Sequence, residues 1–360
     1  MNDLATDQRV QRTCYVLKEK GFTVILIGRR LADSPNIDHI PFKSIRVKML
    51  FTKGPLFYFF YNVRLFFLLV TKKADLLISN DLDTLIPNFI VSKIKGTKII
   101  YDSHEIFTEV PELQNSKFKK KIWEQVESLI IPRLNHCITV NQSIANYFQN
   151  KYNVKFHVIR NIPIEQKTKE KIRSRNELNL PENKKIILLQ GSGINIDRGA
   201  EELVEAMQHV PEDYLLLIIG GGDVISILKK MSKSLNLESK IFFLPKMSSN
   251  NLFHYTCNAN LGVTLDKDTN LNYRFSLPNK IFDYIYGGIP VLSSRLPEIE
   301  KIILKHDIGT FIENHNPVHI AERIQFCLNS NEYLVWKSNI NETKKSYGWD
   351  QEKKNWDEII

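Results

Sequence analysis

The sequence predicts an α/β protein of two domains, each built on a parallel sheet. Short β-branched apolar runs alternate with amphipathic helical stretches, which is the rhythm of parallel strands joined by helical crossovers. That rhythm occurs twice. It runs first through TVILIG (23–28), DLLISN (75–80), KIIYDS (98–103) and CITVN (137–141). It resumes in KIILLQGSG (185–193), YLLLIIGGG (214–222), KIFFLP (240–245), ANLGVTL (259–265) and IPVLSS (289–294). Between the two series, residues 162–185 are charged, poor in large apolar side chains and marked by Pro163 and Pro181, as an exposed connection should be. The boundary is placed near residue 165, giving domains 1–165 and 166–344 and a terminal segment 345–360.

Composition bounds the possibilities. A chain of 360 residues with 43% hydrophobic content can bury two cores. The net charge of +9 and pI near 9.1 favour polyanionic partners: nucleic acid, anionic lipid head groups or phosphorylated substrates. Cys14, Cys137, Cys257 and Cys327 are far apart and form no CxxC pair, so neither a zinc cluster nor a disulfide framework is indicated. A reducing cytoplasm is the expected setting. The polar start, MNDLATDQRVQRT, lacks the apolar stretch of a secretory signal.

Taken in order, Asp7 to Lys20 reads as a helix capped by Asp7 and ended by Gly21. No strand is read before it, which predicts an open slot in the first sheet and marks the start as truncated or misassigned. The run Leu56 to Val70, LFYFFYNVRLFFLLV, carries Asn62 and Arg64 and is too short and interrupted for a spanning helix. Its aromatic stripes favour a buried helix over a membrane-surface one. Asp81 and Asp83 have no third carboxylate or His at useful spacing, so they are expected to cap a helix, and no metal is expected. Asp102, His104, Glu105 and Glu109 follow an apolar strand, where α/β proteins place their sites. His104 suits a hydrogen bond to a substrate hydroxyl or reacting oxygen, and Glu105 or Glu109 suits orienting an acceptor or serving as base. A helix cap at Asp102 or Ser103, with the glutamates near its dipole, is the plainer alternative. Residues 115–135 join a basic cluster to apolar positions at Ile122, Trp123, Val126, Leu129 and Ile130. That pattern makes either a helix docked on an anionic bilayer or a solvated helix with one core face. Neither an RNP nor a zinc-finger pattern occurs, which argues against nucleic acid. Arg160 and Asn161 stand at the proposed hinge, able to reach substrate or to pack between domains.

The second domain opens with QGSGINIDRGAEELVEAM (190–207), where Gly191, Ser192 and Gly193 end a strand and Arg198-Gly199 precedes a helix. Strand, glycine loop and helix N-terminus make an anion site, and the Arg198 fork matches two diphosphate oxygens. An ordinary strand-to-helix turn is the alternative. Gly220, Gly221 and Gly222 allow close backbone approach to a ligand or simply make a turn. The most informative run is SLPNKIFDYIYGGIPV, residues 276–291. After Ser276 and Leu277, Pro278 suits a first helical turn, so the amides that follow are expected to point unpaired at an anion. Lys280 adds a cation, and Asp283 lies one turn beyond Asn279, placed to accept ribose hydroxyl bonds while Lys280 serves phosphate. These residues ask for a nucleoside diphosphate.

With these motifs in order, the chain resembles the retaining glycosyltransferases of family four, in particular the bacterial subgroup containing LPNK. The resemblance rests on NDLATDQRV (2–10), NDLDTLIPNF (80–89), YDSHEIFTEVPEL (101–113), VIRNIP (158–163), the DRGAEELVEAM run and SLPNKIFDY, and it covers almost the whole chain. It implies the GT-B fold, two Rossmann-like domains facing across a cleft, with SYGWDQEKKNWDEII (346–360) as a helix crossing back to the first domain. It also implies a nucleotide-sugar donor on Gly191, Ser192, Gly193, Arg198, Gly221, Ser276, Leu277, Pro278, Asn279, Lys280 and Asp283. Asp7, Arg9, Glu105, Glu109, Arg160 and Asn161 fall to the acceptor side. Asp283 matches the second acid of the family's Glu, seven residues, Glu motif, while the first falls on Phe275. The usual Arg of the loop after the domain's first strand is replaced around Ser192. The implied chemistry is metal-independent glycosyl transfer with retention, the leaving charge held by Lys280, Arg198 and the helix N-terminus, with His104 on the donor sugar or acceptor hydroxyl. The domains would close to exclude water. No cofactor is implied, because the nucleotide sugar is a substrate. A glycan or lipid-linked acceptor at the inner membrane face fits the charge and the 115–135 helix. Competing readings are a GT-B sugar-nucleotide epimerase, which needs no acceptor, and a noncatalytic membrane-associated scaffold. A NAD oxidoreductase lacks its GxGxxG spacing here.

Overall fold

The computed structural model of the chain describes every residue except 1–3, 5–6, 32–33, 35, 38–39, 115 and 164–170. Its contacts divide it into two compact units, Met1–Asn161 with Lys353–Ile360, and Ile162–Glu352. The expected boundary near residue 165 lies outside the described residues, as do residues 2, 3, 5 and 6 of the NDLATDQRV run.

In the first unit, α1 (Gln8–Glu19) precedes the parallel pair β1 (Ile25–Arg30) and β2 (Lys43–Lys48). Asp7 caps α1 by accepting from the Val10 amide at 3.1 Å. Then come α2 (Gly54–Thr71), β3 (Leu76–Asn80), α3 (Leu85–Lys95), β4 (Lys98–Ser103), the single turn α4 (Pro111–Gln114), α5 (Lys117–Ile130), β5 (Cys137–Thr139), α6 (Gln142–Tyr152) and β6 (Phe156–Val158). Strands β3-β4-β5-β6 form a four-stranded parallel sheet separate from β1-β2. The strands of this unit therefore stand in two pieces, β1-β2 and β3 to β6.

The expectation that residues 56–70 form a buried helix is corrected. Only one stripe of α2, Phe57, Tyr61, Leu65 and Leu69, is buried, against Val47, Leu77 and Val91. The helix is apolar around most of its circumference, and one core accepts only one face.

The second unit holds β7 (Lys185–Gly191), α7 (Ala200–Ala206), β8 (Tyr214–Gly220), α8 (Ile225–Ser234), β9 (Ile241–Leu244), α9 (Ser249–Asn258), β10 (Leu261–Thr264), α10 (Leu271–Arg274), α11 (Lys280–Gly287), β11 (Val291–Ser294), α12 (Pro297–His306), β12 (Gly309–Ile312), α13 (Pro317–Asn329), α14 (Glu332–Ser346) and α15 (Trp349–Glu352). Its parallel sheet has the order β12-β11-β10-β7-β8-β9, a doubly wound arrangement whose direction of winding reverses between β7 and β10. The strands read as unbroken apolar runs because both faces are covered. Ile187, Leu189, Leu216 and Ile218 enter one core with Leu203 and Ile324, while Ile186, Leu188, Leu215 and Leu217 enter the other with Ile285 and Ile303.

The expected final helix over 346–360 is also corrected. Beyond α15 the backbone tightens into a 3-10 stretch, Lys353–Glu358, that belongs to the first unit. There Lys98 donates to the Ile359 carbonyl at 2.6 Å, Asn355 donates to the Val158 carbonyl at 3.2 Å, and Trp356 is fully buried.

Candidate functional site

Ligands of doubly wound sheets bind beyond the carboxyl ends of the strands where the winding reverses. In the second unit that point lies beyond Gly191 of β7 and Thr264 of β10. The loop after β7 is locked to the loop after β8, since Gly221 donates to the Gly191 carbonyl at 3.1 Å and Ile194 to the Gly221 carbonyl at 2.8 Å. Gly220 is required for this: its φ is +141°, and a Cβ there would lie 1.8 Å from the Gly191 oxygen. The glycine triplet thus serves backbone-to-backbone packing, and it leaves Ser192 and Gly193 exposed at the strand end. Gly199, at φ +68°, begins α7 with its backbone against the Leu265 carbonyl.

Arg198 is held at this place. Its Nη1 donates to Asp266 Oδ2 at 2.8 Å, and its guanidinium lies 4.7 Å from the centroid of the Tyr273 ring. Tyr273 is itself anchored by donating to the Ile196 carbonyl at 3.3 Å. Asp266 is fully buried, and its second oxygen, Oδ1, has no hydrogen-bond partner among the described residues, as is also true of the buried Ser276 Oγ. A buried carboxylate oxygen without a donor is costly to keep.

The SLPNKIFD run starts a helix later than its proline suggests. Asn279 is the cap of α11, and the amides of Ile281, Phe282 and Asp283 turn inward to the Pro278 and Asn279 carbonyls. The amides of Asn279 and Lys280 have no intramolecular acceptor among the described residues, so the expected unpaired donors are these two and not those further along. Among the described residues the half-buried Lys280 ammonium makes no ion pair within 4.0 Å. Burial pushes it below its ordinary value; Asp266 and Asp283 act upward and Arg198 downward without reversing that. Asp283 is oriented by Gln190, whose amide donates to it at 2.9 Å. Gln190 is fixed in turn by the Thr256 hydroxyl, which donates to its Oε1 at 2.8 Å. A cation without a close counterion, a guanidinium, two amides and an oriented carboxylate are therefore gathered at the strand ends. Asp266 and Gln190 were missed by sequence reasoning. Asp266 stands two residues past an apolar strand, the same signal that singled out Asp102.

The first unit carries a second cluster, at the ends of β3 and β4. Asp102 is fully buried and receives Arg9 through Nη2 at 2.6 Å and Nε at 3.0 Å, while Arg9 Nη1 donates to the Ile159 carbonyl at 2.7 Å. His104 lies between two carboxylates, with Nδ1 3.3 Å from Asp81 and Nε2 3.5 Å from Asp102. The second contact lacks hydrogen-bond geometry. Burial alone would lower the imidazole, but Asp81 and Asp102 outweigh it and raise the group to about 9. Burial likewise works against ionised Asp102, and Arg9 with His104 overcomes it, holding the carboxyl at about 2. His104 is an imidazolium at neutral pH, able to donate but not to accept.

Asp81 corrects its expected capping role: it makes no capping bond and instead accepts the His104 amide at 2.9 Å. Of the expected acceptor-side residues, Arg9 is committed to Asp102, Asn161 accepts from Arg12, and Glu109 accepts from Lys120 at 2.7 Å and Gln114 at 3.2 Å. Glu105 receives the Ser103 hydroxyl on its carbonyl at 2.7 Å, and its side chain, like Arg160, is half-buried. Among the described residues no group of three or more His, Cys, Asp or Glu is arranged to hold a metal ion.

Comparison with known proteins bears on both units. Residues 8–163 match the family model described as Glycosyltransferase Family 4, and residues 170–343 match Glycosyl transferases group 1. Among solved structures, sucrose-phosphate synthase of Thermosynechococcus elongatus superposes with a TM-score of 0.79 at 17% identity, over 98% of this chain and 91% of that one. A glycosyltransferase of Rickettsia africae gives 0.73 at 18% identity, over 97% and 92%. The Anabaena protein Alr3699/HepE, solved with UDP and glucose, gives 0.71 at 15% identity, over 89% and 86%. At these identities the likeness establishes a shared fold. A curated relative, an uncharacterized methylase of Rickettsia prowazekii, is 27% identical over 81 residues, 21% of this chain, which spans only 34% of that protein's length.

Proposed function

The chain belongs to the family-four glycosyltransferases of GT-B fold, and from that premise we propose that it moves a sugar from a nucleoside diphosphate to a glycan or lipid-linked acceptor, with retention, in cell-surface polysaccharide assembly. The observation that carries the reading is the Lys280 ammonium, half-buried beside Asp266, Asp283 and Arg198 yet making no ion pair among the described residues, at the strand ends where the sheet reverses. A diphosphate supplies the charge this ammonium lacks. Arg198 offers a planar fork already fixed by Asp266 and Tyr273, and the Asn279 and Lys280 amides add donors. As the glycosidic bond breaks, negative charge grows on the leaving diphosphate, and donors positioned beforehand stabilise it without a metal. Asp283, aimed by Gln190, accepts the ribose hydroxyls. His104, as an imidazolium, donates to a sugar or acceptor oxygen.

This reading fits the LPNK form of the family, in which Phe275 stands where an acid is usual. The UDP and glucose bound to the Anabaena protein make UDP-sugars the first donors to test. The test is transfer by purified protein from UDP-, GDP-, ADP- and TDP-sugars, with EDTA present. Lys280→Ala should lower kcat by on the order of a hundredfold or more, as loss of one preorganised oxyanion donor does, with folding retained. Unchanged turnover in this variant would remove the assignment. Stereochemical conversion of the donor without acceptor would replace it with an epimerase.

A further inference from the structure

We infer that the outer face of α2 is a docking surface for an anionic lipid bilayer. The helix carries two apolar stripes. The inner one is the buried set of Phe57, Tyr61, Leu65 and Leu69. The outer one, Leu56, Phe59, Phe60, Val63, Phe67 and Val70, is exposed, with Phe59 and Phe67 each 62% accessible. Its spacing of three and four residues places these side chains along one side of the helix. The preceding loop extends the patch, because Leu50 is 97% accessible and Phe51 stacks on Phe60 with centroids 5.7 Å apart. A contiguous apolar surface of this kind marks an interaction site.

Charge selects the partner. Residues 41–74 contain Lys43, Arg46, Lys48, Lys53, Arg64, Lys72 and Lys73 and no Asp or Glu. A second copy of the chain would bring the same positive charge against this face and repel it, whereas an anionic leaflet complements both the phenylalanines and the cationic rim. The basic surface continues on α5, which meets α2 through the edge contact of Trp123 with Tyr58 at 5.3 Å and exposes Lys117, Lys119 and Lys121.

Although α2, with 18 residues, has the length and apolarity to cross a membrane, its inner stripe is fastened to β2, β3 and α3, and the exposed Arg64 interrupts the helix midway. The helix therefore lies on the bilayer. The inference does not depend on glycosyl transfer, and it gives the membrane contact to α2 first, with α5 at its flank.

Flotation of the full chain with phosphatidylglycerol-containing vesicles and with pure phosphatidylcholine vesicles, at low and high salt, tests it. The chain should float with the anionic vesicles, and less so in high salt. Phe59→Glu with Phe67→Glu should reduce binding by about tenfold or more per residue, since each replaces an exposed aromatic ring that inserts into the bilayer with a charge. Lys53→Glu with Lys73→Glu, which leaves every aromatic in place, should also weaken anionic binding and keeps the test open if the first pair does not fold. The inference fails if the wild-type chain does not float, if folded Phe variants float equally well, or if the patch instead holds a dimer that the Phe variants dissociate.

Discussion

Replacing His104 by Gln removes an imidazolium held between Asp81 and Asp102, and the cost can be worked from the site itself. The folded group sits at about 9 against an ordinary 6.5. At about 1.4 kcal/mol per pH unit, that interval corresponds to about 3 kcal/mol. Because the folded value lies above the unfolded one, the contribution is complete below about pH 6.5 and is lost as pH rises through about 9. Asp102 has the opposite sign: held at about 2 against 3.8, its contribution is present above about pH 3.8 and is lost as pH falls through about 2. Titration of histidine-labelled protein by NMR reads the group directly, and the His104→Gln variant identifies its resonance. Urea unfolding of the first unit, followed through Trp123 and Trp356, should show wild-type stability falling by about 3 kcal/mol from about pH 6.5 to above pH 9. The variant should lack that fall. Asp81→Asn should move the His104 midpoint downward. A His104 resonance titrating near 6.5 in folded protein would refute the two-carboxylate clamp.

Two further predictions test the second unit. Gly220→Ala places a Cβ 1.8 Å from the Gly191 oxygen at φ +141° and should destabilise by about 3 kcal/mol, whereas a control in the first unit, Gly21→Ala, at φ +90° with nothing within 4 Å, should cost only about 1 kcal/mol in urea unfolding. Asp283→Asn keeps an oxygen for Gln190 but removes the charge offered to ribose; UDP affinity by calorimetry should fall about tenfold, and an unchanged Kd would take Asp283 out of the ribose site.

The strand cores and the helix start at SLPNKIFD were determined locally, which is why both were legible. Strands such as YLLLIIG are buried on both faces and therefore continuous in hydrophobicity, and SLPNKIFD encodes its proline, cation and carboxylate within eight positions. Three strands, β2, β6 and β12, left too weak an apolar signal to be found. Tertiary structure alone decided which charges are free. Arg9 and Asp102 are 93 residues apart in sequence and meet as a buried pair, whereas Lys280 meets no carboxylate of the described residues at ion-pair distance. The orientation of α2 was equally a tertiary matter. A helix apolar on two faces carries no periodic signal for which face the core will take, and only the packing of Val47, Leu77 and Val91 against Tyr61 and Leu65 settles that the phenylalanines at 59 and 67 face outward. Hydrophobic pattern and turn chemistry act between near neighbours and are written in the chain; the pairing of distant charges and the choice between equivalent faces depend on what the fold brings alongside.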